Sequence, residues 1–107
     1  MKRLKFCGNG KLQFEEVPDP VPEAGEVVIR TACSAICGSE MHAYRNEGME
    51  GGNPGHEAVG TVVAVGSGVK HLAPGQRVGA SPVAGCGHCP ACREGKFTWC
   101  PDWRFYG

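Results

Sequence analysis

Apolar and polar side chains alternate over residues 12–16, where Leu12, Gln13, Phe14 and Glu15 fall by turns on opposite faces of an extended chain. Residues 2–6 precede them, and Gly8-Asn9-Gly10 lies between as a turn, so the pattern predicts an opening β-hairpin. Pro18, Pro20 and Pro22 then make an extended connector that no central strand accommodates. Residues 26–36 hold Val27, Val28, Ile29 and Thr31, a β-branched run that predicts the first strong strand. Residues 38–44 read as a turn entering a short helix, with Ser39 near its N-cap. A glycine-rich loop is expected over 48–55, a second strong strand over 56–65, a turn at 66–68 and a short strand over 76–80 introduced by Pro74-Gly75. No repeat and no low-complexity tract interrupts this order. The pattern predicts an irregular, mostly β domain with short helices and partly closed sheets.

Composition narrows the class. The 107 residues make one small domain, and 17 glycines with 8 prolines favour turns and short strands over long helices. Eleven basic and eleven acidic residues cancel, so no global field draws the chain to nucleic acid or to a membrane surface. Lys2, Arg3 and Lys5 imitate the start of a secretory leader, but residues 6–10 supply no apolar segment after them. Seven cysteines raise the alternative of a disulfide scaffold. Their odd number and the missing leader favour reduced thiols in a cytoplasmic setting, and with them metal binding.

Cys86, Cys89, Cys92 and Cys100 follow one another at intervals of three, three and eight residues. Such spacing suits a tetrahedral Zn²⁺ held by four thiolates, which needs several sulfurs delivered by a tightly turned loop. Gly85, Gly87, Pro90 and Gly95 supply the turn chemistry, and the short loop keeps its closure entropy small. A structural zinc lobe is therefore expected over about 85–101. His88 lies inside the loop as an alternative ligand, although four cysteines already complete a tetrahedron.

Cys37, His56 and Glu57 stand at the end or start of the two strong strands, and mixed sulfur, nitrogen and carboxylate donors are what a catalytic zinc uses. Ser39 and His42 lie just past Cys37, near enough in sequence to pass a proton. Taken singly, each residue has a plainer reading. A cysteine closing a strand is commonly a small buried hydrophobe, a His-Glu pair is commonly exposed, and Ser39 is most simply a helix cap. Spacing leaves these alternatives open. Cys7 and Cys33 have no metal-like partners, and Trp99, Trp103, Phe105 and Tyr106 read as packing residues.

The ordered segments Cys37-Gly38-Ser39-Glu40-Met41-His42, Gly55-His56-Glu57-Ala58-Val59-Gly60-Thr61-Val62, Val65-Gly66-Ser67-Gly68-Val69 and Gly75-Gln76-Arg77-Val78, followed by the cysteine loop, closely resemble the zinc-containing alcohol dehydrogenases of the medium-chain dehydrogenase/reductase superfamily. The resemblance runs over nearly the whole chain. It implies the amino-terminal GroES-like domain, a partly open barrel with short helices and a zinc-binding loop. By the same resemblance Cys37 and His56 are ligands of a catalytic zinc, Glu57 is a glutamate able to approach that metal, and Ser39 and His42 form a proton relay. Cys86, Cys89, Cys92 and Cys100 are the structural zinc ligands. The implied chemistry is oxidation of an alcohol, or reduction of a carbonyl, with NAD or NADP.

Departures from the family pattern qualify this. Glu40 and Gln76 stand where the family usually has aspartate; the first is expected to lengthen a contact that orients the metal-bound histidine, at a cost of about 10–100-fold in metal affinity or activity. No Gly-x-Gly-x-x-Gly occurs, so a dinucleotide-binding domain is expected to be absent from residues 1–107. A third catalytic-zinc ligand is expected from a later segment, as in a truncated product or fragment whose domain ends before completion. The expected consequences are a filled structural site, a weak catalytic one, no hydride transfer by this polypeptide alone, and self-association through an unfinished sheet edge. Substrate identity and the choice between NAD and NADP are not encoded in these residues. The alternative is a non-catalytic zinc-binding module.

Overall fold

The computed structural model describes residues 1–49 and 54–106. β1 (Lys2–Gly8) and β2 (Lys11–Glu16) pair antiparallel as the opening hairpin, from Lys2 opposite Glu16 to Gly8 opposite Lys11. Gly8, Asn9 and Gly10 all take left-handed conformations, with φ of 77°, 52° and 70°, which the glycines and asparagine of this turn tolerate. Arg3 clasps Glu15 across the ladder at 2.7 Å and holds the Glu15 carboxyl below its ordinary range. That contribution is present above the unfolded carboxylate's pKa and is lost as pH falls through the lowered one.

The central sheet joins β3 (Val27–Ala35), β4 (Glu57–Val65) and β5 (Arg77–Gly79), all antiparallel, in the order β3-β4-β5. Both strong strands lie where their β-branched runs predict them, the first one residue shorter at each end and the second one residue shorter at its start. The β3–β4 register slips between Val28 and Ile29 and again between Thr31 and Cys33, bulges that twist the pair. A third sheet, β6 (Val83–Ala84) with β7 (Arg104–Phe105), closes the two ends of the cysteine loop. Neither two-residue strand has enough length to show a periodicity. The architecture is mostly β, as expected, and its three sheets stay open.

Helix is scarce. Residues 38–40 form a 3-10 turn that leads into α1 (Met41–Arg45), and α2 (Pro90–Arg93) and a second 3-10 turn (Phe97–Trp99) lie in the cysteine loop. Ser39 is inside the first turn, and the cap position belongs to Cys37, whose backbone is extended at φ −81° and ψ 143°. The hairpin holds α1 in place: Asn9 and Gly10 donate backbone hydrogen bonds to the carbonyls of Asn46 (3.1 Å) and Tyr44 (2.9 Å), and the Phe6 and Tyr44 rings meet edge-on at 5.9 Å. The expected loop over 48–55 lies partly outside the described residues.

Burial is shallow. Phe6, Val62 and Cys100 are the buried apolar side chains among the described residues, and Glu40 is buried with them. Trp99, Trp103, Phe105 and Tyr106, which read as packing residues, remain about half or more exposed. No helix among the described residues is long and apolar enough to cross a membrane.

Candidate functional site

Two clusters of metal-ligating side chains form, and the geometry of each follows from its local chain. In the first, β6 runs into Gly85 and Cys86. The Cys89 sulfur caps α2 by accepting from the Cys92 N–H at 3.4 Å, with Pro90 pre-set for the first helical position. This turn brings Cys92 back beside Cys89. The 3-10 turn at Phe97–Trp99 delivers Cys100, whose sulfur accepts the Cys86 N–H at 3.3 Å, while the Cys86 sulfur accepts that of Cys89 at 3.4 Å. All four sulfurs lie within 4.8 Å of one another, and none is in a disulfide. Tetrahedral zinc at Zn–S of about 2.3 Å asks for sulfurs about 3.8 Å apart, a separation within the limit this donor set keeps.

Electrostatics divide these thiols. The N–H groups of His88 and then Cys89 aim at the Cys86 sulfur and pull that thiol down to about 6. At Cys92 a hydrogen bond from the Gly87 N–H acts in the same sense, but desolvation and the neighbouring sulfurs of Cys89, Cys100 and Cys86 outweigh it and push the thiol up to about 12. One thiolate therefore forms near neutrality while another keeps its proton until a cation compensates the crowding. Metal uptake at neutral pH is expected to release protons into unbuffered solution, and acidification to release the metal, because the ligands must be ionised to bind. Gly85 passes so close that a Cβ there would collide with the Cys92 sulfur and press on Phe97 at 3.0 Å. Gly85→Ala is expected to cost about 1–3 kcal/mol in overpacking, read as faster loss of zinc to a competing chelator.

The second cluster lies at one end of the central sheet. Antiparallel pairing sets Ala35 opposite Glu57, so the chain leaving β3 and the chain entering β4 lie side by side. Cys37, two residues past β3, thereby meets His56 and Glu57, and their ligand atoms all fall within 4.8 Å. The two sides are tied by Glu40. Its carboxylate accepts the Cys37 N–H at 2.9 Å through one oxygen and the Gly55 N–H through the other. The second oxygen also stands 3.7 Å from His56 Nδ1, an ion-pair distance longer than a hydrogen bond. The extra methylene of Glu40 is thus used to span two backbone segments. The imidazole is 8% exposed and the Glu40 side chain 5%. Sulfur, imidazole and carboxylate donors together suit zinc.

Ser39 Oγ donates to the Cys37 sulfur at 3.2 Å. His42 is brought elsewhere: its Nδ1 pairs with Glu47 at 3.3 Å on an exposed face, and among the described residues no hydrogen bond joins it to Ser39. His88 stays outside the sulfur cluster, its Nδ1 bonded to the Cys86 carbonyl at 2.9 Å. Cys7 and Cys33 are exposed free thiols. One contact was not legible from residue order. The Phe105 ring lies 5.4 Å from the His56 ring at a tilt of 57°, a meeting set by the pairing of β7 with β6.

Comparison with known proteins places the chain. Residues 23–107 match the alcohol dehydrogenase GroES-like domain. An uncharacterised zinc-type alcohol dehydrogenase-like protein of Escherichia coli K12 is 42% identical over 92% of this chain and 30% of its own length. Sorbitol dehydrogenase of Bacillus subtilis is 38% identical over 98% of this chain and 31% of its own. A crystal structure of an alcohol dehydrogenase from Escherichia coli CFT073, complexed with NADH, superposes with a TM-score of 0.83 at 37% identity, over 100% of this chain and 32% of that one. The chain thus spans about 30% of the length of the curated relatives it matches. It belongs to the alcohol dehydrogenase GroES-like domain family, among the zinc-type alcohol dehydrogenases of the medium-chain dehydrogenase/reductase superfamily.

Proposed function

We propose that this chain supplies the metal-bearing part of an enzyme that transfers a hydride between a small alcohol or polyol, or the corresponding carbonyl, and NAD or NADP. The observation that carries the reading is the convergence of Cys37, His56 and Glu57 at one sheet end, tied by Glu40, with the Ser39 hydroxyl against the Cys37 sulfur. Cys37 and His56 would hold a catalytic zinc, with Glu57 as a carboxylate within reach of it. Zinc held there would supply Lewis acidity that makes a bound hydroxyl more acidic. Ser39, whose hydroxyl lies against the Cys37 sulfur, would accept a proton and pass it on towards solvent. His42 joins that relay after leaving Glu47, so its proton transfer depends on a side-chain rotation. Cys86, Cys89, Cys92 and Cys100 would hold a structural zinc in a lobe over about 85–101. Every strand pair among the described residues is antiparallel, so none builds the parallel strand–helix unit that holds a dinucleotide. The nicotinamide site is therefore assigned outside them.

Zinc content tests the reading. One tightly held zinc ion per chain is expected, with a second, more weakly held ion under added zinc that is lost in a Cys37→Ser/His56→Ala double variant, while thiolate-to-metal absorption from the four-cysteine site is retained. An unchanged zinc content in that variant sinks the catalytic-metal assignment. A second reading, a zinc-binding module without chemistry, is favoured by the four-cysteine cluster being the one with a full tetrahedral donor set. Alcohols and polyols offered with NAD or NADP to the natural full-length protein separate the two, since the module predicts no reduced nicotinamide with any of them.

A further inference from the structure

We propose that Phe105 is a positioning residue for His56, and that the four-cysteine loop determines where it stands. The proposal rests on the assignment of Cys37 and His56 as a metal site. The His56 side chain is nearly buried at the surface end of an open sheet. Two groups confine it: the Glu40 carboxylate on the Nδ1 side at 3.7 Å, and the tilted Phe105 ring at 5.4 Å between centroids. With Nδ1 facing a carboxylate, Nε2 is the nitrogen left to a metal. A ring packed on the imidazole removes rotamers that would swing this nitrogen away from Cys37, which lowers the entropy lost on binding.

Phe105 has little else to hold it, being about half exposed on a two-residue strand. Its position is secured from behind. Val83 pairs with Phe105 and Ala84 with Arg104, the Tyr106 N–H bonds the Pro82 carbonyl at 2.8 Å, and the Trp103 N–H bonds that of Cys100 at 3.3 Å. β6 leads directly into Cys86 and β7 follows Cys100, and those two cysteines are themselves joined by a backbone-to-sulfur hydrogen bond of 3.3 Å. Knotting the loop therefore fixes the β6–β7 ladder and with it the ring on His56. The two metal clusters, distant in sequence, are mechanically in series.

Cadmium titration followed by cadmium NMR tests this, because a four-sulfur site and a mixed sulfur, nitrogen and oxygen site give separate resonances. Phe105→Ala is expected to leave the four-sulfur resonance in place and to weaken cadmium at Cys37/His56 about tenfold, with a shifted resonance for that site. Phe105→Leu is expected to weaken it less and serves if the alanine variant does not fold; Phe105→Tyr is expected to restore wild-type binding. Trp103→Ala, which removes an equally exposed aromatic on the same segment, should change neither resonance. Wild-type affinity at Cys37/His56 in whichever of the alanine and leucine variants folds overturns the proposal, as does an equal loss in Trp103→Ala. A wild-type chain with no mixed-site resonance overturns the catalytic-metal reading and this inference together.

Discussion

Cys100→Ser is expected to empty the four-cysteine site and to unfold the chain around it. Cys100 is 2% exposed, so the serine hydroxyl would be buried in place of a thiolate, and a hydroxyl does not ionise to ligate zinc near neutrality. Apparent binding energies of structural zinc reach about 10–16 kcal/mol in small peptides, while whole domains are stable by only about 5–15 kcal/mol. With so few buried apolar side chains, this fold has little else to make up that loss. Zinc content should fall by about one ion per chain, and the thermal transition should broaden or vanish. Excess chelator should reproduce the effect on the wild type. Cys7→Ser and Cys33→Ser, at exposed thiols, should stay within about 0.5 kcal/mol of wild type with full zinc. Full zinc in Cys100→Ser would mean that these sulfurs do not hold the ion.

Glu40→Ala should be the most damaging single change at the other cluster. It removes two charge-assisted hydrogen bonds, to the Cys37 and Gly55 N–H groups, each worth about 1.5–3 kcal/mol. A loss of about 3 kcal/mol or more in denaturant unfolding is expected. Metal affinity at Cys37/His56 should also drop about 10–100-fold, because the tie between the two ligand-bearing segments is gone. Glu40→Gln is the informative control. An amide accepts through one oxygen only and turns a donor towards the other backbone N–H, so about half the loss should remain. Glu40→Asp, the residue usual in the family, is one methylene shorter and should keep one of the two bonds. Stability equal to wild type in Glu40→Ala would show that water replaces the carboxylate without penalty.

Much of this was readable from residue order, for identifiable reasons. The β-branched runs at Val27–Ala35 and Glu57–Val65 announced their strands because they exceed one period of alternation. The cysteine spacing announced its cluster because ligands close in sequence need only local turns to meet. Cys37 and His56 are a different case. Spacing alone left them as a buried thiol and an exposed imidazole, and it took β-strand register to bring them together. The cap of the 3-10 turn went to Cys37 and not Ser39 because the turn begins two residues earlier, where Glu40 satisfies the free N–H, while Glu40 stands next to Ser39 at the N-cap of α1. His42 next to Glu47 and Phe105 over His56 depend on side-chain reach and on strands too short to leave a pattern.

The β3–β4 ladder has a consequence for how such chains diversify. Because register holds Cys37 beside His56, the length of the connection from α1 to β4 does not set their separation, and closure entropy grows by only about 0.6 kcal/mol for each doubling of loop length. Insertions there should be cheap, whereas a single deletion inside either strand would turn its side chains to the opposite face and part the two ligands. Variation is thereby channelled into the connection, beside a Cys37–His56 pair that the sheet keeps constant.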